Sequence, residues 1–319
     1  HFHGGEGTTQ NPELRTQNPL HHSSLFTLHS SLSTVFSLLA REEEYTVPDR
    51  DQHDRFLWSH SQLRRHEAGP LPFVSDYCQR LLGFVRGQCG RLGLPMIRKE
   101  AWPHGRAMAA CLTHDVDVVR RGKLARGVAV RDVKEVLSSL ARGKASRAAK
   151  QAVGIVRTAA SHRDPYWTFD RISALEDEHR YRSTYFFMTG RLHPEDASYG
   201  LHEPGLGRLL GNLRHRGCEI ALHGSYASYC DGESLLRQRK RLETATGLTL
   251  SGHRNHLLRF RAPDSWRAQE VAGFSYDSTL GFADQEGFRG SHAFPFHPYD
   301  LHADRPLTIL EMPLALMEI

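Results

Sequence analysis

From residue 106 onward the chain alternates short apolar runs with amphipathic stretches, and this alternation constrains its fold more than any single motif. "AMAACLT", "RSTYFFMT", "CEIALHG", "LSGHRNH", "FSYDSTLG" and "LTILEMPLALMEI" read as strands. Between them "WTFDRISALEDEHRY", "PGLGRLLGNLRHRG", "DGESLLRQRKRLETATG" and "PDSWRAQEVAG" read as helices. Thr168 stands where an N-cap is expected, Asp264 near a helix start, and Gly217 and Gly247 where helices should stop. A strand followed by a helix, repeated about five times, predicts an α/β fold with a parallel sheet or barrel, and its chemistry belongs at the C-terminal ends of the strands. Asp115, Asp117, His223, Arg254, His256 and Asp277 fall at such ends.

Residues 1–105 have a different pattern. Residues 1–18 are polar and loop-like, 23–41 read as a helix running into "REEEY", and 46–72 read as irregular. "FVSDYCQRLLGFVRGQCGRLG" has helical spacing, with Gly90 and Gly93 near its end. The expected organisation is a small, mainly helical region over 1–105 and an α/β unit over 106–319, with a basic helical insertion at about 120–163. Twelve Lys and Arg lie between Arg120 and Arg163, against only Asp132 and Glu135, in a chain whose net charge is +5. Such an insertion is either a solvated surface or a weak contact for an anionic one. No aromatic residues interleave the basic ones, so stacking on nucleic acid bases is not expected. There is no apolar run of transmembrane length. Five scattered cysteines without a CxxC pair argue against a disulfide framework or a zinc knuckle and favour a cytoplasmic setting. The chain opens on His1 rather than Met, so a longer parent chain is expected.

The stretch "CLTHDVDVV" puts His114, Asp115 and Asp117 at the end of an apolar run. Two residues apart on a strand, the aspartates face the same way, and crowded carboxylates repel unless a cation lies between them or one is protonated. A metal bound by one, with the other as a general base, satisfies both; a pair of turn aspartates is the plainer alternative. His223 closes "CEIALHG", a suitable place for an imidazole ligand, and Gly224 after it permits a tight turn or close approach of a ligand. In "SGHRNHLLRF", Arg254 and His256 share a strand face, with His253 alternating away. An arginine there would pair with a base carboxylate, and His256 would complete a metal set or assist proton transfer.

"LTHDVD", "DPYWTFDRISALEDEHRYRSTYFFM", "GCEIALHGSYASY", "GHRNHLLRF", "FSYDSTLGFADQEGFRGSHAFPF" and "LEMPLALMEI" together resemble the polysaccharide deacetylases of the NodB-homology type, carbohydrate esterase family 4. They run in family order over roughly residues 105–319. "SLLAREEEY" and "DRDQHDRFLWSHSQLRRHEAGPLPFVSDY" resemble the accessory region of one branch of that family. The resemblance implies a distorted (β/α) barrel holding a divalent metal, usually zinc, that activates water against an acetamide. It implies Asp115 as catalytic base, Asp117 and His223 as metal ligands, and Arg254 as the residue that orients the base. The substrate class it implies is an N- or O-acetylated polysaccharide.

The sequence departs from the family pattern in three ways. Ala227 stands where the second metal histidine is usual, Val116 separates the two aspartates, and the general-acid histidine of the last motif has no counterpart before Ile319. Truncation of the barrel at its C-terminus is therefore expected. His256 is the expected third ligand and a candidate proton donor, with His114 the second choice as ligand. A backbone N–H near Ser225 or Tyr226 is the expected oxyanion donor. The alternatives are a degenerate member that binds glycan without turnover, and a module that binds an anionic partner.

Overall fold

The computed structural model describes residues 32–65, 71–100, 102–120, 130–160, 164 and 166–317. The expected strand–helix alternation is present. β1 (Thr113–Val116), β2 (Thr184–Phe187), β3 (Glu219–Gly224), β4 (Gly252–Asn255), β5 (Tyr276–Asp277) and β8 (Leu310–Glu311) form one sheet in the order β1-β2-β3-β4-β5-β8. Every neighbouring pair is parallel. Among the described residues the ladder runs from β1 to β8 with no pairing between these two edges. The edges nonetheless come round to one cleft, lined by β1 on one side and by Leu314 and Leu316, just after β8, on the other. A small antiparallel pair, β6 (Tyr299–Asp300) and β7 (Arg305–Pro306), precedes β8.

Parallel strands are covered on both faces, which explains their continuous apolar character. Tyr185, Phe186 and Phe187 of β2 and Ala221 and Leu222 of β3 are buried. α7 (Phe169–His179), α8 (Leu206–His215), α9 (Gly232–Thr246) and α10 (Asp264–Val271) supply the cover. α8 buries Leu206, Leu209, Leu210 and Leu213, the helical spacing seen in the sequence. Gly217 and Gly247 follow the ends of α8 and α9 with φ of 76° and 68°, as helix-stop glycines should. Asp231 caps α9 by accepting from the Ser234 amide at 2.9 Å.

Several boundaries differ from expectation. β1 begins only at Thr113, and residues 107–112 are exposed. Their side chains are small or face solvent, so they have no core to align against. Thr168 occupies the N-cap of α7 but makes no side-chain cap bond. The last strand shrinks to Leu310–Glu311. Among the described residues the basic helical insertion consists of two helices, α5 (Val130–Ala141) and α6 (Ala145–Ala160), separated where Gly143 turns the chain at φ 68°.

The N-terminal part holds α1 (Leu32–Ala40), α2 (Glu42–Thr46), α3 (Gln62–Arg65) and α4 (Phe73–Arg91). The expected helix over 23–41 is described from Leu32, and its earlier part lies outside the described residues. Val35, Leu38, Leu63 and Val74 form a small cluster of their own. The stretch "REEEY", which reads as a polar helix end, is mostly buried. Arg41 bonds Glu44 and Glu43 at 2.8 Å each and donates to the Arg289 carbonyl. Arg289 in turn holds Glu44 with contacts of 2.9 and 2.6 Å. Burial works against the Glu44 carboxylate, but the two guanidiniums win and hold it below the ordinary range.

This network joins residues some 245 positions apart in sequence, so it clamps the N-terminal part to the connection that follows β5. Glu44→Ala would leave the buried Arg289 guanidinium without its carboxylate partner and Arg41 with Glu43 alone. It is expected to cost about 3–5 kcal/mol of unfolding free energy, measured by urea denaturation.

Candidate metal centre

β1 delivers Thr113 and Asp115 to the rim, and the chain bends immediately after it to bring Asp117 back over β3. β3 and β4 pair in register His223↔Arg254. These three strands therefore carry Asp115, His223 and Arg254 to the same end of the sheet.

Arg254 is buried, and every nitrogen of its guanidinium has a partner. Nε donates to the Ser278 carbonyl and Nη2 to Ser278 Oγ, both at 2.9 Å. Nη1 donates to Thr113 Oγ1 at 2.9 Å and to Asp115 Oδ1 at 2.8 Å. The guanidinium also lies over the Phe186 ring, 4.4 Å from its centroid. Asp115 is thus held by one oxygen, while Oδ2 sits 3.8 Å from His223 Nε2.

Asp117, His223 and His256 converge. Asp117 Oδ1 lies 3.3 Å from His223 Nε2 and 3.5 Å from His256 Nδ1, and the two ring nitrogens are 3.2 Å apart. The other nitrogen of each ring faces a backbone carbonyl. His223 Nδ1 is 3.0 Å from the Arg254 carbonyl and His256 Nε2 is 3.0 Å from the Glu195 carbonyl. A carbonyl only accepts, so each of these nitrogens carries the hydrogen. In the neutral rings, His223 Nε2 and His256 Nδ1 then present lone pairs to each other and to a carboxylate, an arrangement that calls for a cation.

The spacing fits a metal. A tetrahedral zinc with bonds of about 2.0–2.1 Å sets its ligand atoms about 3.3–3.4 Å apart. The three separations here, 3.2 to 3.5 Å, bracket that edge length. Asp117 is half exposed, which leaves the outer side of the trio open for water or substrate. The electrostatics agree. Burial disfavours a charged His223, yet Asp115 and Asp117 raise its basicity overall. Burial and the charge of His223 lower the basicity of His256. The hydrogen bond and charge of His223 outweigh burial at Asp117 and keep its pKa low.

The remaining expected positions sort clearly. Ala227 is exposed in a turn after β3, and His256, in the turn after β4, brings the second imidazole instead. His114 points away from both aspartates, to Glu176 at 3.0 Å, and lies against Tyr185. Asp277 is not at the rim as expected: it is fully buried and holds His253 Nδ1 at 3.0 Å. A two-residue strand with a buried histidine opposite turns it inward. Arg259 leaves the site to stack on Tyr226 and Tyr229. Gly224 makes room for protein rather than ligand, since a Cβ there would meet His253 Nε2 at 2.6 Å and Leu235 at 3.1 Å. The expected oxyanion donors are engaged elsewhere. Ser225 N donates to Gln238 at 2.9 Å and Tyr226 N to Asp196 at 2.7 Å.

Sequence reasoning missed the segment that supports the trio. Asp196 accepts from the amides of Leu192, His193 and Tyr226 and from Ser225 Oγ, so it staples the 192–196 loop to the turn after β3. The neighbouring Glu195 carbonyl is then in place to orient His256. No motif marks these residues; only a capping-type aspartate in "LHPED" hints at a structured loop.

No family model matches the chain, and no curated protein matches it. Several solved structures are similar to it. A protein assigned as a polysaccharide deacetylase from Mycobacterium smegmatis is 20% identical, with a TM-score of 0.39, over 67% of this chain and 61% of that one. PuuE allantoinase is 21% identical, with a TM-score of 0.32, over 47% of this chain and 46% of that one. A de-N-acetylase from Aggregatibacter actinomycetemcomitans is 10% identical, with a TM-score of 0.29, over 54% of this chain and 87% of that one. The chain thus spans less than two thirds of the first two structures.

Proposed function

We propose that the protein is a metal-dependent hydrolase that removes acetyl groups from an acetylated polysaccharide, with its sheet forming part of a distorted barrel. The observation that carries this reading is the Asp117, His223 and His256 trio, spaced for a tetrahedral ion beside an arginine-held Asp115. A zinc bound there would supply Lewis-acid activation of water and of the acyl carbonyl. Asp117, His223 and His256 would hold it, with ring orientations already fixed by the Arg254 and Glu195 carbonyls.

The protein's own groups divide the remaining work. Asp115 is the general base. Arg254 fixes one of its oxygens and leaves the other directed towards the trio, where it can accept a proton from water. Arg254 is itself immobilised by Ser278 and Thr113, so the carboxylate cannot swing away. With Nε2 facing the Glu195 carbonyl and Nδ1 turned to the trio, His256 would be taken up by orientation and ligation once a metal is bound, and would not serve as the proton donor. Asp115, protonated after the first step, is the group placed to return that proton to the departing nitrogen or oxygen. The cleft of about 460 Å³ beside it, with Asp115, Tyr166, Phe169 and Leu314 in its lining, is large enough for a sugar ring.

Five free cysteines suit a reducing compartment, and among the described residues no helix is long and apolar enough to cross a membrane. A glycan-binding protein without turnover is the second reading, favoured by the exposed Ala227, and it is separated by metal content measured with acetate release from N-acetylated glycans.

Asp117→Ala and His256→Ala are each expected to weaken zinc binding by about ten- to a hundredfold or more, measured by competition with a chromogenic chelator. Zinc affinity unchanged in both variants would remove the trio from consideration. Asp115→Asn should retain zinc while acetate release falls by about a hundredfold or more. Near wild-type turnover in that variant would assign the proton transfer to another group.

A further inference from the structure

The α5–α6 hairpin makes no use of its most distinctive surface. Over residues 130–160 it carries seven Lys and Arg against Asp132 and Glu135, a net of +5 that equals the net charge of the whole chain. The flanks from Arg120 to Lys123, Arg126 and Arg163 add further basic residues and no acids, so the excess positive charge is concentrated in the hairpin and its flanks while the rest of the protein is net acidic. The two helices pack on each other, with Ser139 and Ala148 buried and Ser139 bonded to Gln151 at 2.8 Å.

A second, apolar surface stands out beside this charge. Val133, Leu137 and Leu140 follow the spacing i, i+4, i+7 on α5, and Val153 and Val156 the spacing i, i+3 on α6. All five are exposed, by 42 to 66%. At 100° per residue each stripe lies roughly 110–130° around its helix from the buried Ser139 or Ala148. The offset has the same sense along both helices, and the tight turn at Gly143 makes them antiparallel, so both stripes come to one side of the hairpin. Lys134 and Lys150 stand about 90° from the stripes, at the two outer edges.

We propose that this side of the hairpin seats on an anionic membrane surface. The aliphatic stripe would enter the headgroup–acyl boundary while Lys134 and Lys150 extend their stems to lipid phosphates. Charge favours this occupant over a second copy, because two such faces brought together would oppose their lysine edges. It is favoured over nucleic acid because residues 130–160 contain no aromatic side chain to stack on bases, and an aliphatic stripe gains nothing on a phosphate backbone. The hairpin lies in the connection between β1 and α7, the one that leaves the sheet at Asp117, so seating it would hold the cleft near the lipid surface. The proposal rests on the hairpin alone and does not depend on the metal reading.

The test is co-sedimentation of the full chain with vesicles of phosphatidylcholine alone and of phosphatidylcholine with 30% phosphatidylglycerol. Partitioning onto the anionic vesicles is expected to exceed that onto neutral ones by about tenfold or more, and to fall steeply between about 50 and 500 mM salt. Leu137→Glu with Val153→Glu should abolish binding while far-UV circular dichroism stays unchanged. Lys134→Gln should weaken it by about fivefold, as should Lys150→Gln. Absence of vesicle binding would overturn the proposal, as would equal binding by the double glutamate variant. Dimerisation that the same double variant abolishes, seen by light scattering without vesicles, would also overturn it and assign the face to a second copy.

Discussion

The guanidinium of Arg254 is the point on which the site's geometry depends. It joins the first strand, through Thr113 and Asp115, to the turn after the fifth, through Ser278, across a sheet whose edges are not hydrogen-bonded to each other among the described residues. It does so while buried against the Phe186 ring. A buried cation without partners would be prohibitive, so the fold and the orientation of Asp115 are secured by one interaction. The backbone of the same residue orients His223 through its carbonyl. One position in β4 therefore sets both the proposed base and one of the proposed ligands.

Behind this rim lies a second polar layer that stiffens it. His253, one residue before Arg254, faces the opposite side of β4 and is fully buried against Asp277. Asp277 also accepts from Thr279, and Glu311 on the neighbouring strand accepts from Trp266 Nε1 at 2.8 Å. Burial and the nearby Asp277 push the Glu311 carboxyl well above its usual value, so the pair does not place two full negative charges in the core. The alternation of β4 thus separates two imidazole environments. One turns towards a structural carboxylate, and the other, carried past the strand end into a turn, meets Asp117.

The sheet and the proposed trio were legible in the sequence for different reasons. Period-two placement put Asp115 with Asp117 and Arg254 with His256, and it turned His114 and His253 away from them; the structure shows the last two directions, while Asp117 and His256 reach the rim from a bend and a turn just past their strands rather than by alternation along them. His256 was readable as a third ligand because Ala227 left a gap and few histidines shared the rim. Asp277 was misplaced because periodicity cannot tell an inward carboxylate with a buried partner from an outward one. Ser225 and Tyr226 were misjudged as oxyanion donors because the partners of their amides, Gln238 and Asp196, come from distant segments. The burial of Arg41, Glu43 and Glu44 was invisible for the same reason, since the residue that completes the network, Arg289, lies far along the chain. Local pattern reported side-chain direction well; it did not report which polar group finds a partner.

The central claim is that Asp117, His223 and His256 hold one divalent ion. The most direct measurement is an anomalous difference map from crystals of the protein purified with zinc, recorded on both sides of the zinc absorption edge. The account predicts a single strong peak among the three side chains, at about 2.0–2.2 Å from each ligand atom, with a water on its open side near Asp115. A zinc peak bound elsewhere, or none among these residues at saturating zinc, would contradict it.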